Sequence, residues 1–373
     1  MSAALAQRAA AAKGWLLNVA FPLWADKGFD AATGLFHEKL NADLSPAPGP
    51  RRVRVQARQI YCFALAGRMG WSGPWRERVE AGFATLSGAA RAEGGAVGHL
   101  LDARGKLPDA RRDLYDQAFA LLACAHATPV VPDAPKRAHE IMDFIEHSWK
   151  SPKGGYEEGE VEPPLPRRQN PHMHLFEAAL ALQDAAGAAR WRPLAQQIAS
   201  LFNAHFFDAE YGVLREFFEA DWKPSATKGS LLEPGHHFEW VWLLARWRDA
   251  SGEDTGPIAA KLYEYGERYG INTHDVAVDE MLLGGGMVSA RARLWPQTER
   301  LKAALARLED GSGDAEAVVN AYDKLALYLD APAPGLWRDR MNEDGSFVDE
   351  PAPASSFYHI AVALDELIRL AEI

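Results

Sequence analysis

Cysteine is scarce in this chain: Cys62 and Cys124 are the only two in 373 residues. Both fall in apolar helical patterns, which excludes a disulfide framework and points to buried thiols in a reducing compartment. Long apolar runs are missing too, so no membrane-spanning helix is expected. The Ala-rich start is broken by Arg8 and Lys13 before a secretory core forms, and a soluble cytoplasmic protein is the expectation. Positive charge is in deficit. A net charge of −11 leaves no basic stripe to neutralise phosphates, which excludes nucleic acid as a partner. The basic clusters are short: Arg51-Arg52-Val53-Arg54, Arg111-Arg112 and Arg167-Arg168. Strand-like alternation is rare, which disfavours a sheet-based fold. No HExxH or CxxC spacing supports a metal site, although His172, His174, His236 and His237 supply four imidazoles.

What the chain does have is tryptophan, 12 of them, and nearly half its residues apolar. A large core follows, in one large domain or two ordinary ones. A helical pattern from Ala3 to Leu23 leads to the turn Gly34-Leu35-Phe36 and then a helix from Val53 to Met69. This unit recurs. Gly94-Gly95 precedes a helix from Asp113 to Ala127, and Gly154-Gly155-Tyr156 precedes one from Asn170 to Ala185. Tyr211-Gly212 precedes one from His236, Gly284-Gly285-Gly286 one at Trp295, and Gly335-Leu336-Trp337 one from Ser355 to Ala371. Six helix-loop-helix units spaced about 50 to 70 residues apart suit a closed ring. The expected fold is an all-α (α/α)6 barrel over residues 1–373 as one domain. The second helix of each unit forms the inner layer, and the long loops before it crowd one mouth.

Polar and aromatic residues gather at the starts of those second helices. The most pointed stretch is Glu233-Pro234-Gly235-His236-His237-Phe238-Glu239-Trp240. Pro-Gly opens a helix, and His236 and Glu239 then share one face. The positive helix end disfavours imidazolium, so His236 is expected to be a neutral base. Asn170-Pro171-His172-Met173-His174-Leu175-Phe176-Glu177 repeats the His/Glu spacing, with Asn170 placed as a cap. Arg54, Arg58 and Tyr61 lie on one face of the first unit. Asp113-Leu114-Tyr115, Trp295-Pro296-Gln297-Thr298-Glu299 and Ser355-Ser356-Phe357-Tyr358-His359 complete the set. Taken singly, Arg58 reads as readily as a solvated or paired residue, Tyr115 and Trp295 as core, and His236 as a satisfied histidine in a surface turn. Asp113, Asp116, Asp279 and Glu280 read as caps and solvated acids. If the ring closes, the clusters converge on one pocket lined by Arg58, Tyr115, Asn170, His174, His236, Glu239, Trp295, Glu299 and His359. Such a pocket suits a small neutral polyol, and its imidazoles suit proton abstraction beside a carbonyl.

Asn170-x-x-Met173-His174-x-x-Glu177-Ala178 and Pro234-Gly235-His236-x-x-Glu239-Trp240 resemble motifs of the N-acylglucosamine 2-epimerase superfamily. Arg58, Asp113 to Phe119, Trp295 to Glu299 and Tyr358-His359 fall in the family's order, so the resemblance covers nearly the whole chain. It implies an (α/α)6 barrel and a cofactor-independent enzyme. His236 and His359 would flank C1–C2 of an open-chain sugar, with His359 moving the C2 proton and His236 assisting ring opening or acting from the other face. Glu239 would orient His236, and Arg58 would polarise the carbonyl. Tyr115, Asn170 and His174 would bind hydroxyls, with Arg54, Trp295 and Glu299 beside them. Tyr358-His359 looks most like the mannose isomerase branch, which implies interconversion of D-mannose and D-fructose through a cis-enediol. The alternatives are a 2-epimerase and a mannose-6-phosphate isomerase, in which Arg51-Arg52 or Arg167-Arg168 would hold phosphate. The animal-type epimerases carry Gly-Arg-Gln where this chain has Ala57-Arg58-Gln59. An (α/α)6 glycoside hydrolase using Glu239 and Glu299 would leave the histidines unexplained, and a binding module would leave the acid/base groups idle. A monosaccharide is the expected partner, with a homodimer through outer helices as a further expectation.

Overall fold

The computed structural model describes residues 2–372. Twelve helices alternate between an outer and an inner layer. The outer helices are α1 (Ala3–Trp15, running on through Leu16–Ala20 into Phe21–Asp26), α3 (Trp75–Ser87), α5 (Ala134–Ser148), α7 (Ala188–Leu201), α9 (Gly256–Tyr269) and α11 (Ala315–Leu329). The inner helices are α2 (Val53–Arg68), α4 (Leu114–Ala127), α6 (Asn170–Ala186), α8 (Pro234–Ser251), α10 (Leu294–Glu309) and α12 (Ala354–Glu372). Each inner helix packs on the next, and α12 packs on α2, which closes an (α/α)6 barrel. The two layers differ as their sequences require. Along α4 almost every side chain is buried, because an inner helix meets neighbours on all sides, whereas α9 buries little beyond Leu262 and Gly266 and turns a charged face outward.

Inner-to-outer links are short, and outer-to-inner links are long and gather at one mouth. These long loops are stitched to one another around the ring. Arg51–Arg52 pairs with Leu100–Leu101, Asp113 bridges to Gly159, and Arg167–Arg168 pairs with Phe217–Phe218. Leu231–Leu232 then pairs with Met281–Leu282, Ala292–Arg293 with Arg340–Met341, and Ala352–Pro353 returns to Lys39–Leu40. Among the described residues the named strands are two residues long, so the scarcity of strand patterning is a true reading of the fold.

Five of these loops are also pinned from below by a side chain near the start of the inner helix that follows. Gln56 exchanges hydrogen bonds with both backbone groups of Phe36, Gln117 with those of Val97, and Gln297 with those of Ala277. In two units histidine takes this place. His172 Nε2 accepts from the Tyr156 amide, and His237 Nε2 accepts from that of Leu214 while its Nδ1–H donates to the Glu233 carbonyl. His172 and His237 are therefore structural, and both are buried. Cys62 and Cys124 are buried free thiols. No helix among the described residues is long and apolar enough to cross a membrane.

Gln117→Leu strands the buried amide and carbonyl of Val97. It is expected to cost about 2 kcal/mol, read as a lower midpoint in thermal unfolding; an unchanged midpoint contradicts the pinning role.

Candidate active site

The six inner helices start beneath the stitched loops, so their first two turns face one cavity of about 610 Å³. Arg58 comes from α2, Tyr115 from α4, Asn170 and His174 from α6, His236 and Glu239 from α8, Trp295 from α10, and Ser355, Ser356 and His359 from α12. Helix N-termini carry partial positive charge, so their convergence favours negative charge developing in the cavity.

Three imidazoles share one arrangement. His236 Nδ1 lies 3.0 Å from Glu216 Oε2, His359 Nδ1 lies 2.9 Å from Glu299 Oε1, and His174 Nδ1 lies 3.2 Å from Glu177 Oε2. In each the carboxylate takes the Nδ1 hydrogen and leaves Nε2 for the cavity. Glu177 is held from its other side by the Tyr358 hydroxyl, which donates to Oε1.

The protonation states nevertheless diverge. Burial alone lowers an imidazole's pKa, but the carboxylates of Glu216 and Glu233 outweigh it at His236 and hold it up to about 10. Glu233 Oε2 is 3.7 Å from Nδ1. Burial prevails at His174, which falls to about 4 against the pull of Glu177. His359 is pushed well below the ordinary range by burial, reinforced by the charges of Arg58 and Lys302. At neutral pH the cavity thus holds one imidazolium and two neutral imidazoles, an acid facing bases.

Arg58 is buried, and its guanidinium lies 4.1 Å from the Phe119 ring centre. It donates to the Tyr115 hydroxyl at 2.9 Å and to the Ser355 carbonyl, and no carboxylate among the described residues pairs with it. Glu239 has neither oxygen hydrogen-bonded, and the Asn170 side-chain oxygen is likewise unpartnered. Burial and the nearby Glu299 push the Glu239 carboxyl well above the ordinary range, toward the neutral acid, and it has hydrogen-bonding capacity to spare. Trp295 stands between the two outer imidazoles, with ring centres 5.0 Å from His236 and 5.9 Å from His359. Gly235 allows this, because a Cβ there would sit 2.4 Å from the Trp295 ring.

Four groups of histidine and carboxylate atoms lie close enough to hold a metal ion: His99/Asp113/Asp116, His174/Glu177/Glu239, Glu216/Glu233/His236 and Glu239/Glu299/His359. In the first, Asp116 already binds Arg54 and His99. In the last, Lys302 brings its ammonium to 2.5 Å from Glu299.

The sequence model of the N-acylglucosamine 2-epimerase (GlcNAc 2-epimerase) family matches residues 34–363. The chain belongs to the N-acylglucosamine 2-epimerase family. It is a sugar-converting enzyme of the isomerase or epimerase kind. It is 46% identical to a protein of Rhizobium meliloti (strain 1021) named mannose-6-phosphate isomerase, over 95% of each chain. It is 30% identical to the D-mannose isomerase of Thermobifida fusca, over 62% of this chain and 63% of that one. The structure of cellobiose 2-epimerase from Bacillus thermoamylovorans B4167 superposes with a TM-score of 0.85 at 19% identity, over 97% of this chain and 98% of that one, which is a likeness of fold.

Within this family member, eight of the expected pocket residues meet in the cavity: Arg58, Tyr115, Asn170, His174, His236, Glu239, Trp295 and His359. Six expectations are corrected. His236 is not held neutral by its helix end, because two carboxylates hold its proton. Glu239 does not orient His236; Glu216 does. Arg54 does not line the cavity, since it pairs with Asp116 at 3.0 Å, which in turn is fully buried and not a solvated acid. Glu299 lies beneath the cavity and reaches it only through His359. Asn170 is the first residue of α6 and not its cap, whereas Asp113 does cap α4 by accepting from the Tyr115 amide. Glu177, three residues after His174, holds that imidazole. Sequence reasoning missed Glu216, which follows the fourth unit's glycine turn. The need of a buried His236 for an Nδ1 acceptor was the one signal pointing to it.

Gly235→Ala is expected to drive the Trp295 indole from between the imidazoles and lower kcat/KM about 100-fold, with the helical circular dichroism retained. Unchanged kinetics contradict a positional role for Trp295.

Proposed function

We propose that this barrel interconverts D-mannose and D-fructose by proton transfer between C2 and C1, without a cofactor, the whole ring of residues 1–373 acting as one catalytic unit. The observation that carries the reading is two imidazoles facing one cavity with opposite surroundings: His236 lies against the carboxylates of Glu216 and Glu233, which favour its charge, and His359 against a Glu299 already beside the Lys302 ammonium, which favours its neutrality. His236 donates a proton to the ring oxygen as the sugar opens and recovers one from the anomeric hydroxyl, whose O–H electrons form the C1=O1 carbonyl. His359 Nε2 then takes the C2 proton, the C2–H electrons form the C1=C2 bond, and the negative charge on O1 falls to Arg58 and His236. Delivery of that proton from His359 to C1, with the O2 proton passed to O1, gives the ketose. Protonation of the other face of C2 by the His236 imidazolium gives the epimer, the second reading, in which His236 is the second base of the reverse direction. Glu239 as a neutral acid, Asn170, His174 and Tyr115 hydrogen-bond hydroxyls. The names of the two relatives, both isomerases, favour the first outcome.

A free hexose suits the mouth better than a phosphate ester. Arg52 is paired with Glu38, Arg293 with Asp279 and Arg340 with Glu350. Arg51 is held by Asp30 and Arg168 by Glu158, so these arginines are already occupied. Lys39 lines the mouth without an ion pair among the described residues, and it and the name of the Rhizobium meliloti relative favour a 6-phosphate.

Proton NMR of D-mannose with enzyme and EDTA in D2O tests the reading. Fructose is the expected product, at a rate EDTA does not change, with mannose 6-phosphate turned over less well. Glucose deuterated at C2 makes the enzyme an epimerase, and inertness toward free and phosphorylated mannose alike removes the reading. Glu216→Gln takes away a charge that holds the His236 proton, so the alkaline limb of kcat/KM is expected to move to lower pH; an unmoved limb contradicts His236 as the acid.

A further inference from the structure

Lys302 sits one helical turn after Glu299 on α10 and is fully buried. Its Nζ is 2.5 Å from Glu299 Oε2 and 4.0 Å from the centre of the Trp242 ring. It lines neither the sugar cavity nor a second cavity of about 430 Å³ whose wall includes Trp242 and Glu177. A dry ammonium is costly and persists only where opposite charge repays its lost hydration. Its charged surroundings come from four helices: Glu299 on its own, Glu239 from α8, Glu177 from α6 and His359 from α12. Three buried carboxyl groups thus share one fixed positive charge, and the one in direct contact with it is the one that holds the Nδ1 hydrogen of His359.

We propose that Lys302 is a positioning residue whose ammonium keeps Glu299 a carboxylate, so that His359 carries its hydrogen on Nδ1 and presents an unprotonated Nε2 to the sugar. The inference rests on His359 being the base. Without Lys302, the same cluster of acids draws in a proton to replace the lost charge. Whether that proton settles on Glu299 or on the imidazole, the outcome at Nε2 is the same. A protonated Glu299 donates to Nδ1 and leaves the ring hydrogen on Nε2, while an imidazolium carries hydrogen on both nitrogens. Either way the base is lost until the pH is raised. Lys302 touches no sugar, so it acts on the chemical step and leaves binding alone.

The test is Lys302→Met, which keeps the stem and removes the charge, read by the pH dependence of kcat/KM and by ¹⁵N spectra of histidine-labelled protein. The acid limb is expected to rise by roughly one to three pH units. At neutral pH kcat falls, recovering as the pH is raised, with KM unchanged. In the spectra, His359 Nε2 is unprotonated in the wild type at neutral pH and protonated in the variant. An acid limb identical to the wild type's, with only a lower melting temperature, overturns the proposal. So does a wild-type His359 that already carries hydrogen on Nε2, an observation that needs no variant to fold. If the wild type turns over no hexose, the functional reading fails, and the imidazole spectra still decide the assignment of Lys302.

Discussion

Glu177, Glu216, Glu239 and Glu299 are all drawn out of bulk water by the barrel; none is more than 6% exposed. A carboxylate taken out of water must find hydrogen bonds or opposite charge, or give up its ionisation. Much of the site follows from how each solves that problem. Glu216 does so by keeping a proton on His236, Glu177 with His174 and the Tyr358 hydroxyl, and Glu299 with His359 and Lys302. Glu239 has no partner and is the one driven to the neutral acid. The imidazoles that face the sugar cavity are therefore fixed in place and in charge by what lies behind them.

The barrel supplies the geometry for this. Parallel inner helices bring their first turns to one end, where the stitched loops form a rim and the helix dipoles add positive potential. Glutamine or histidine near the start of an inner helix ties the preceding loop down, so the rim and the cavity wall are positioned by the same turn of helix. At the other end of the barrel lies the second cavity, walled in part by Trp242 and Glu177, with the Tyr61–Tyr358 ring contact beside it.

Helical periodicity, glycine turns and the recurrence of polar residues at helix starts carried the fold and most of the cavity wall, because inner-helix position is a property of local pattern. Depth was not legible. Arg54 and Arg58 share a face, yet one turn separates a guanidinium paired with Asp116 from one that lines the cavity. Glu299 has the spacing of a lining residue and lies one layer below. Partners from other units were also invisible: Glu216 reaches His236 from a loop, at a separation no periodicity encodes. The charge of His236 turned on magnitude. A helix terminus is worth about 0.3–1 kcal/mol, and a charge-assisted hydrogen bond to a buried carboxylate about 1.5–3 kcal/mol, so the carboxylates prevail.

The central claim is that one imidazole enters the reaction charged and the opposite one neutral. Neutron diffraction from the deuterated protein at neutral pH reads this directly. The account predicts deuterium on both nitrogens of His236 and on Nδ1 alone in His359 and His174. His236 with a single deuterium, or His359 with deuterium on Nε2, contradicts it.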